Sequence, residues 1–538
     1  MKKRDAIVVG LFILVVALFL LNRVLDTGST VTEIPVNDKT WSESGLFTNA
    51  AYQEAQEKEL KEEYQAFDTK YTSTDPYVKV NPYGINPLSA YVIFDSQKPV
   101  KYTYTVHSED EANNFVYSND EYNTTVKIPV IGLFENTNNK VTISLEDKTG
   151  LKSSSDVIIA TGNADYYPMD VKIKADLDEE TANGWYFDAF YNAFDTAGNI
   201  RFNLNAGVED NPMKFNDGSL FVKVDNYQTI YELNIMGKIL NTYRTPSAEY
   251  NFHHDVVKSD DGYTYALASY NVDFTNIPYA ESLIFKYDDS SEYPVEIFDV
   301  HDDFDENLVS QYGTPNTNDF IHLNSIDYVS ESNELIVSSQ TQSLIAALDA
   351  DDGSVVWVIQ DDESNIENKD KSLEILNADS FEQTSGQHTV FINENSKYDA
   401  ERDQGKLILS VFNNNNCKND DGVLQWKTYE EEPNPSVCTY DTSDVLVYAI
   451  DETKRTVEQI DSFVVDNQKA DIMSAVFNTP SDNLLVHFSI GAKSKSYLID
   501  NQGNTLIEFK VQDYDGNGYY RTIFKEQSEL STLLDNVE

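Results

Sequence analysis

The chain reads as all-β, and three observations carry that reading. Aromatic residues make up 12% of its 538 residues, led by 34 tyrosines and 27 phenylalanines, which favour pleated strands over helices. From Tyr77 onward, short alternating apolar runs are separated by Asn- and Asp-rich turns. After Asp165 one unit recurs, an apolar strand, an Asp/Asn-Gly turn and a second apolar or aromatic strand. Examples span Tyr191–Phe202, Thr229–Leu240, Leu344–Trp357 and Ser496–Phe509, interleaved with partners such as Asn333–Ser339 and Asn483–Phe488. Units of this kind in series predict a β-propeller. About 370 residues at roughly 40–60 per blade allow six to eight blades, and six fits the larger repeats.

The elements before that region follow in order. Lys2-Lys3-Arg4 precede an apolar run, Ala6–Leu21, closed by Asn22-Arg23. This is an export signal with a basic flank. Its sixteen residues would span about 24 Å as a helix, a little under the ~30 Å hydrocarbon core. No Ala-x-Ala-like site follows, which favours residues 1–22 as an uncleaved anchor, with a cleaved signal peptide and a secreted chain as the alternative; either way the remainder lies outside the cytoplasm. Residues 23–78 form a polar tether and a stalk helix, Ala50–Phe67, rich in Glu, Lys, Gln and Ala without Gly or Pro. Residues 79–160 form a small antiparallel β domain with strands at Leu88–Phe94, Lys101–Val106, Val126–Phe134 and Lys140–Leu145. Residues 161–538 are the propeller.

A net charge of −52 argues against nucleic acid as a partner and makes an anion a poor ligand unless a local site supplies positive charge. Two cysteines, Cys417 and Cys438, could pair in an exported chain and close a polar loop, worth about 3 kcal/mol by chain entropy. Few cysteines and no CxxC argue against a zinc or redox site, and no cofactor is expected. Asp513–Gly518 resembles half a calcium loop, but Phe524 stands at the bidentate Glu position, so the segment is read as a turn.

Only seven histidines occur, and three open similar segments: His254, His322 and His388, separated by 68 and 66 residues. Phe252-His253-His254-Asp255, Ile321-His322-Leu323-Asn324 and Gly386-Gln387-His388-Thr389 each precede a strand, a turn and a buried strand. In a propeller, corresponding positions of different blades converge at one channel mouth. Three histidines could also ligate zinc or copper. Apart from Asp255, however, no carboxylate recurs in the same register, so no metal is expected.

These segments, with Asn81–Ala90, Ile128–Phe134 and Asn138–Val141, resemble the bacterial arylsulfate sulfotransferases in order and spacing over most of the chain beyond residue 79. The resemblance implies a six-bladed propeller moving a sulfuryl group from a phenolic sulfate ester to a phenol without a nucleotide sulfate donor. It implies His388 as nucleophile, forming a sulfohistidine. Imidazole suits that role, being neutral at pH 7, nucleophilic and a good leaving group once sulfated. His254 and His322 would hold sulfate oxygens or exchange protons, Asn324 would donate a hydrogen bond, and His253 would join the substrate site. The family's arginine after the second histidine is replaced by Gln340, and the family's Asp-Asn-Gly by Asn413–Asn416. A neutral amide stabilises developing charge far less than a guanidinium, and Arg521 is the candidate displaced cation. The alternative is a weakly active or inactive propeller that serves as a surface-binding protein. Expected partners are aryl sulfates, phenols and the membrane, and a homodimer stays open.

Overall fold

The computed structural model describes residues 30–32, 50–65, 71–204, 214–216, 219–224, 228–271, 281–288, 290–300, 321–360, 370–418, 424–425, 441–470, 472–512, 514, 516, 518–535 and 537. The export segment 1–22, Cys438 and the would-be calcium ligands Asp513, Asp515 and Asn517 lie outside them. Among the described residues no helix is long and apolar enough to cross a membrane. The expected stalk helix is present as Ala50–Gln65. The chain divides into two compact units, one chiefly residues 55–82 and 87–164, the other chiefly 83–86 and 165–538.

The first unit is one sheet. Its centre is Ala90–Val106, which pairs with Tyr77–Val80, Phe115–Val130 and Asn138–Asp147, and the last of these pairs with Lys152–Ala160. Where two strands are expected at 88–94 and 101–106, a single strand of 17 residues runs through both. Its register with Phe115–Val130 breaks between Asp95 and Val100. Pro99 lies in that gap, where a residue without an N–H leaves no ladder bond unmade. Asn138–Asp147 alternates outward and buried side chains, so Val141, Ile143 and Leu145 face the core.

The second unit contains six sheets of four or five strands in chain order, antiparallel except for one parallel edge pairing at Glu374–Ile375, and all four hairpins expected from the Asp/Asn-Gly signature are present. The third sheet runs Tyr250–Lys258, Thr264–Tyr270, Leu283–Tyr287, Glu296–Asp299. The fourth runs Leu323–Val329, Glu334–Ser339, Leu344–Asp349, Val355–Ile359. The fifth runs His388–Ile392, Leu407–Asn413, Asp444–Asp451, Thr456–Phe463, with Glu374–Ile375 at its edge. The first strand of the third sheet lies against that of the fourth, and the fourth's against the fifth's. Two long-range pairings join the ends of the unit: Met169–Ile173 extends the sixth sheet beside Thr505–Val511, and Ile523–Lys525 pairs with Trp185–Phe187 in the first.

The core sits between successive sheets. Leu335 and Val337 pack with the third sheet's Tyr265, Leu267 and Ile284, whereas Ile336 turns the other way onto Leu409 and Val411 of the fifth. Ile408 and Phe412 face the sixth sheet's Val486 and Phe488. A strand has a side-chain period of two, so a strand buried on both faces reads as an unbroken apolar run. Gly353 shows how closely the sheets approach: its φ of +76° suits the turn after Asp349, and a Cβ there would meet Phe298 at 2.5 Å.

Candidate active site

His388 is the first residue of its strand, opposite Phe412, and a bulge follows at Thr389, whose φ is +51°. Gly386, at φ +65°, turns the chain into that strand, and a side chain there would collide with Asn416. The Gln387 amide nitrogen donates to the carbonyls of Ser339 and Leu344, both at 3.0 Å, and the Ser325 hydroxyl accepts from the Val390 N–H at 2.9 Å. The strand carrying His388 is thus tied to the fourth sheet on both sides of the histidine.

The ring of His388 is 2% exposed, and its state follows from its partners. The Asn414 amide nitrogen donates to the carbonyls of Ala470 (2.9 Å) and Met473 (3.2 Å), which aims its oxygen at His388 Nδ1, 2.8 Å away. Nδ1 must therefore carry the proton. Nε2 keeps its lone pair, which accepts from the Met473 N–H at 3.1 Å, with the Gln340 amide nitrogen at 3.2 Å. Burial pushes the pKa of His388 down to about 3, and the Asn414 bond only partly opposes this. The imidazole is neutral at physiological pH, with its basic lone pair on Nε2.

The other histidines gather on the more exposed side. The His254 ring centroid is 4.9 Å from that of His322 and 5.4 Å from Tyr520, and Tyr520 lies 5.9 Å from His388. The Tyr520 hydroxyl donates to the Asn324 carbonyl at 2.7 Å and so holds the ring between the two groups. The three histidines do not occupy one repeat position: His388 pairs within its sheet, His322 precedes the first ladder pair of its sheet, and His254 lies inside a bulge between Phe252 and Val256. They converge nonetheless. His254 and His322 take positive φ values, +39° and +48°, backbone states that cost about 1–3 kcal/mol each.

Several expected roles change with the geometry. The Asn324 amide nitrogen donates to the Gln387 carbonyl at 2.7 Å, so it braces the segment carrying His388 rather than presenting itself as a dedicated sulfate donor. Arg521 is buried and gives Nη1 to Asp255 at 2.7 Å, and the other Asp255 oxygen accepts the Ile326 N–H. The displaced cation therefore has its charge largely cancelled by Asp255. His253 Nδ1 lies 2.9 Å from His254 Nδ1. A carboxylate from outside the register of the histidine segments joins them. Glu281, at φ +53°, places Oε2 2.7 Å from His322 Nδ1 and 3.9 Å from His254 Nδ1. Burial works to raise the Glu281 pKa, but the facing His322 and His254 hold it well below the usual carboxylate range. Burial holds His254 well below the ordinary imidazole value, with His322 and His253 adding to this and Glu281 opposing it. Asn414, Glu281, Tyr520 and the Met473 N–H are the site groups that the sequence reading misses. The run Asn413–Asn416 was a visible signal for the first, whereas Glu281 stands in no repeating pattern.

Comparison with known proteins follows the same division of the chain. The Arylsulfotransferase Ig-like domain family matches residues 77–162. A search of curated proteins found no match. Among solved structures, the Cps50 (Swd1) β-propeller domain of Myceliophteria thermophila aligns at 8% identity with a TM-score of 0.35, covering 66% of this chain and 90% of that one. The periplasmic gluconolactonase PpgL of Pseudomonas aeruginosa aligns at 10% with a TM-score of 0.33, covering 79% and 99%. Scores this low carry no argument. The family model described as Arylsulfotransferase (ASST) matches residues 137–521, a span that includes His253, His254, Glu281, His322, Gln340, His388 and Asn414, and the chain belongs to that family.

Proposed function

We propose that the chain transfers a sulfuryl group from a phenolic sulfate ester to a phenol through His388, without a nucleotide sulfate donor. The observation that carries this reading is the locked tautomer: Asn414 keeps the proton on Nδ1, which leaves the basic lone pair of a buried, neutral ring on Nε2. Nε2 attacks sulfur and forms an N–S bond as the S–O bond to the aryl group breaks. The electron pair leaves on the phenolate oxygen, which takes a proton from His322, the imidazole 2.7 Å from the Glu281 carboxylate. The ring retains its Nδ1 proton, and the Asn414 oxygen stabilises the positive charge that grows there. The acceptor phenol gives its proton back to His322 and attacks sulfur, and neutral imidazole leaves. As sulfur takes the Nε2 lone pair, the Met473 N–H and Gln340 amide are left to donate to sulfuryl oxygens, a modest neutral version of an oxyanion site.

On this reading the six sheets are the blades of a six-bladed propeller, closed by the pairing of Ile523–Lys525 with Trp185–Phe187. The N-terminal apolar run would hold the enzyme at the outer face of a membrane. A second reading, a binding protein of low activity, draws on Gln340, a neutral amide where the family carries an arginine, and on the pairing of Arg521 with Asp255. Incubation with 4-nitrophenyl sulfate and phenol decides between them. Release of nitrophenol, with the protein transiently gaining the mass of one SO3 group, is expected. Folded protein that turns over no aryl sulfate would leave only the second reading.

A further inference from the structure

We propose that His253, His254 and Glu281 form a binding site for a divalent transition-metal ion of the zinc class. One ligand atom from each lies within 4.8 Å of the other two. The two imidazole nitrogens that face each other, Nδ1 of His253 and of His254, are 2.9 Å apart, and Glu281 Oε2 is 3.9 Å from the second. Two nitrogens bound at ~2.0–2.1 Å to one tetrahedral zinc stand about 3.4 Å apart. The two separations bracket that value, and the third ligand pair lies within 4.8 Å, so a bound ion would draw the three side chains together. Two imidazoles and one carboxylate match the preference of borderline ions for nitrogen with one hard oxygen, and three protein ligands leave a position for water or an anionic oxygen.

A second observation concerns the carboxylate. Glu281 Oε2 is buried and makes no aligned hydrogen bond, although His322 Nδ1 stands 2.7 Å from it. The groups that act on its charge among the described residues are the histidines His322, His254 and His253. A buried carboxylate is costly, and a divalent cation offsets that cost directly. The ion also bears on charge. Asp255 and Arg521 cancel, so a divalent ion at Glu281 adds positive charge toward an incoming sulfate ester. That last consequence rests on the sulfuryl-transfer reading; the site itself does not.

Zinc titration of the untagged, chelator-stripped full chain, followed by calorimetry, tests the proposal. One equivalent is expected to bind, with affinity lowered about tenfold or more in Glu281→Gln and in His253→Ala. No saturable binding, or binding unchanged in both variants, overturns it. Should the variants misfold, cobalt loaded into the wild-type chain decides: intense visible bands of a four-coordinate ion support the site, and the faint spectrum of hydrated cobalt rejects it. Nitrophenol release is measured separately. A chain that binds zinc but turns over no aryl sulfate keeps this site and loses the catalytic reading.

Discussion

The two sides of the site reach their chemistry by different means. The groups bonded to the His388 ring are neutral: an asparagine, a glutamine and a backbone N–H set the tautomer, and burial chiefly sets the charge. Around His254 and His322 the side chains are 18% and 22% exposed, the backbone is held at positive φ, and one carboxylate sits among the rings. Dipoles set a tautomer without charging the ring. A carboxylate works the other way and favours the protonated imidazole, a pull that burial overrides at His254. On the sulfuryl-transfer reading, a nucleophile and a proton donor made from the same residue type need opposite surroundings.

Four measurements press on that contrast. The largest effect is expected from His388→Ala, which should lower nitrophenol release by about 10⁴-fold or more, since no other described group supplies the bond to sulfur. If activity survives, the buried side is not where the chemistry happens. Asn414→Ala should lower kcat by about 100-fold, because the ring loses the partner that keeps its proton on Nδ1. An unchanged kcat would mean that burial alone holds the tautomer. Gln340→Ala should cost about tenfold in kcat with KM little changed, the size expected of one neutral donor. A larger loss would show that the amide replaces more of the family arginine than its charge implies.

The smallest effect lies in pH. His388 has an ordinary value of 6.5 and a folded value of about 3, so it stays neutral, and kcat/KM should show no acid limb at 6.5 that vanishes on changing Asn414. The corresponding stability effect has a definite sign. A depressed histidine gives its full contribution above 6.5 and loses it progressively as pH falls toward 3, because only the unfolded chain binds the proton. Denaturant unfolding should therefore show wild type losing stability relative to His388→Ala over that range. A constant difference would place the folded pKa near its ordinary value.

Much of this was readable before any coordinates. Period-two apolar runs and Asp/Asn-Gly turns located the hairpins of the second unit, because strand pleat and turn geometry are local properties of the chain. The segment Gly386-Gln387-His388-Thr389 stood out for the same reason: its glycine has φ +65° and its histidine opens a strand. The strands expected at 88–94 and 101–106 run as one because Phe115–Val130 pairs with both segments, on either side of the break between Asp95 and Val100.

By itself the sequence determined the strands, their turns and the presence of a histidine at the head of a buried strand, since each depends on neighbours a few residues away. Only the tertiary structure decided which nitrogen of His388 is free, that Arg521 is paired with Asp255, and that Glu281 stands among the histidines. Those outcomes depend on groups tens to hundreds of residues apart, such as Asp255 and Arg521 or His388 and Met473. A hydrogen bond or ion pair needs its partners within about 3–4 Å, and nothing local in a chain encodes which distant residue folding will bring that close.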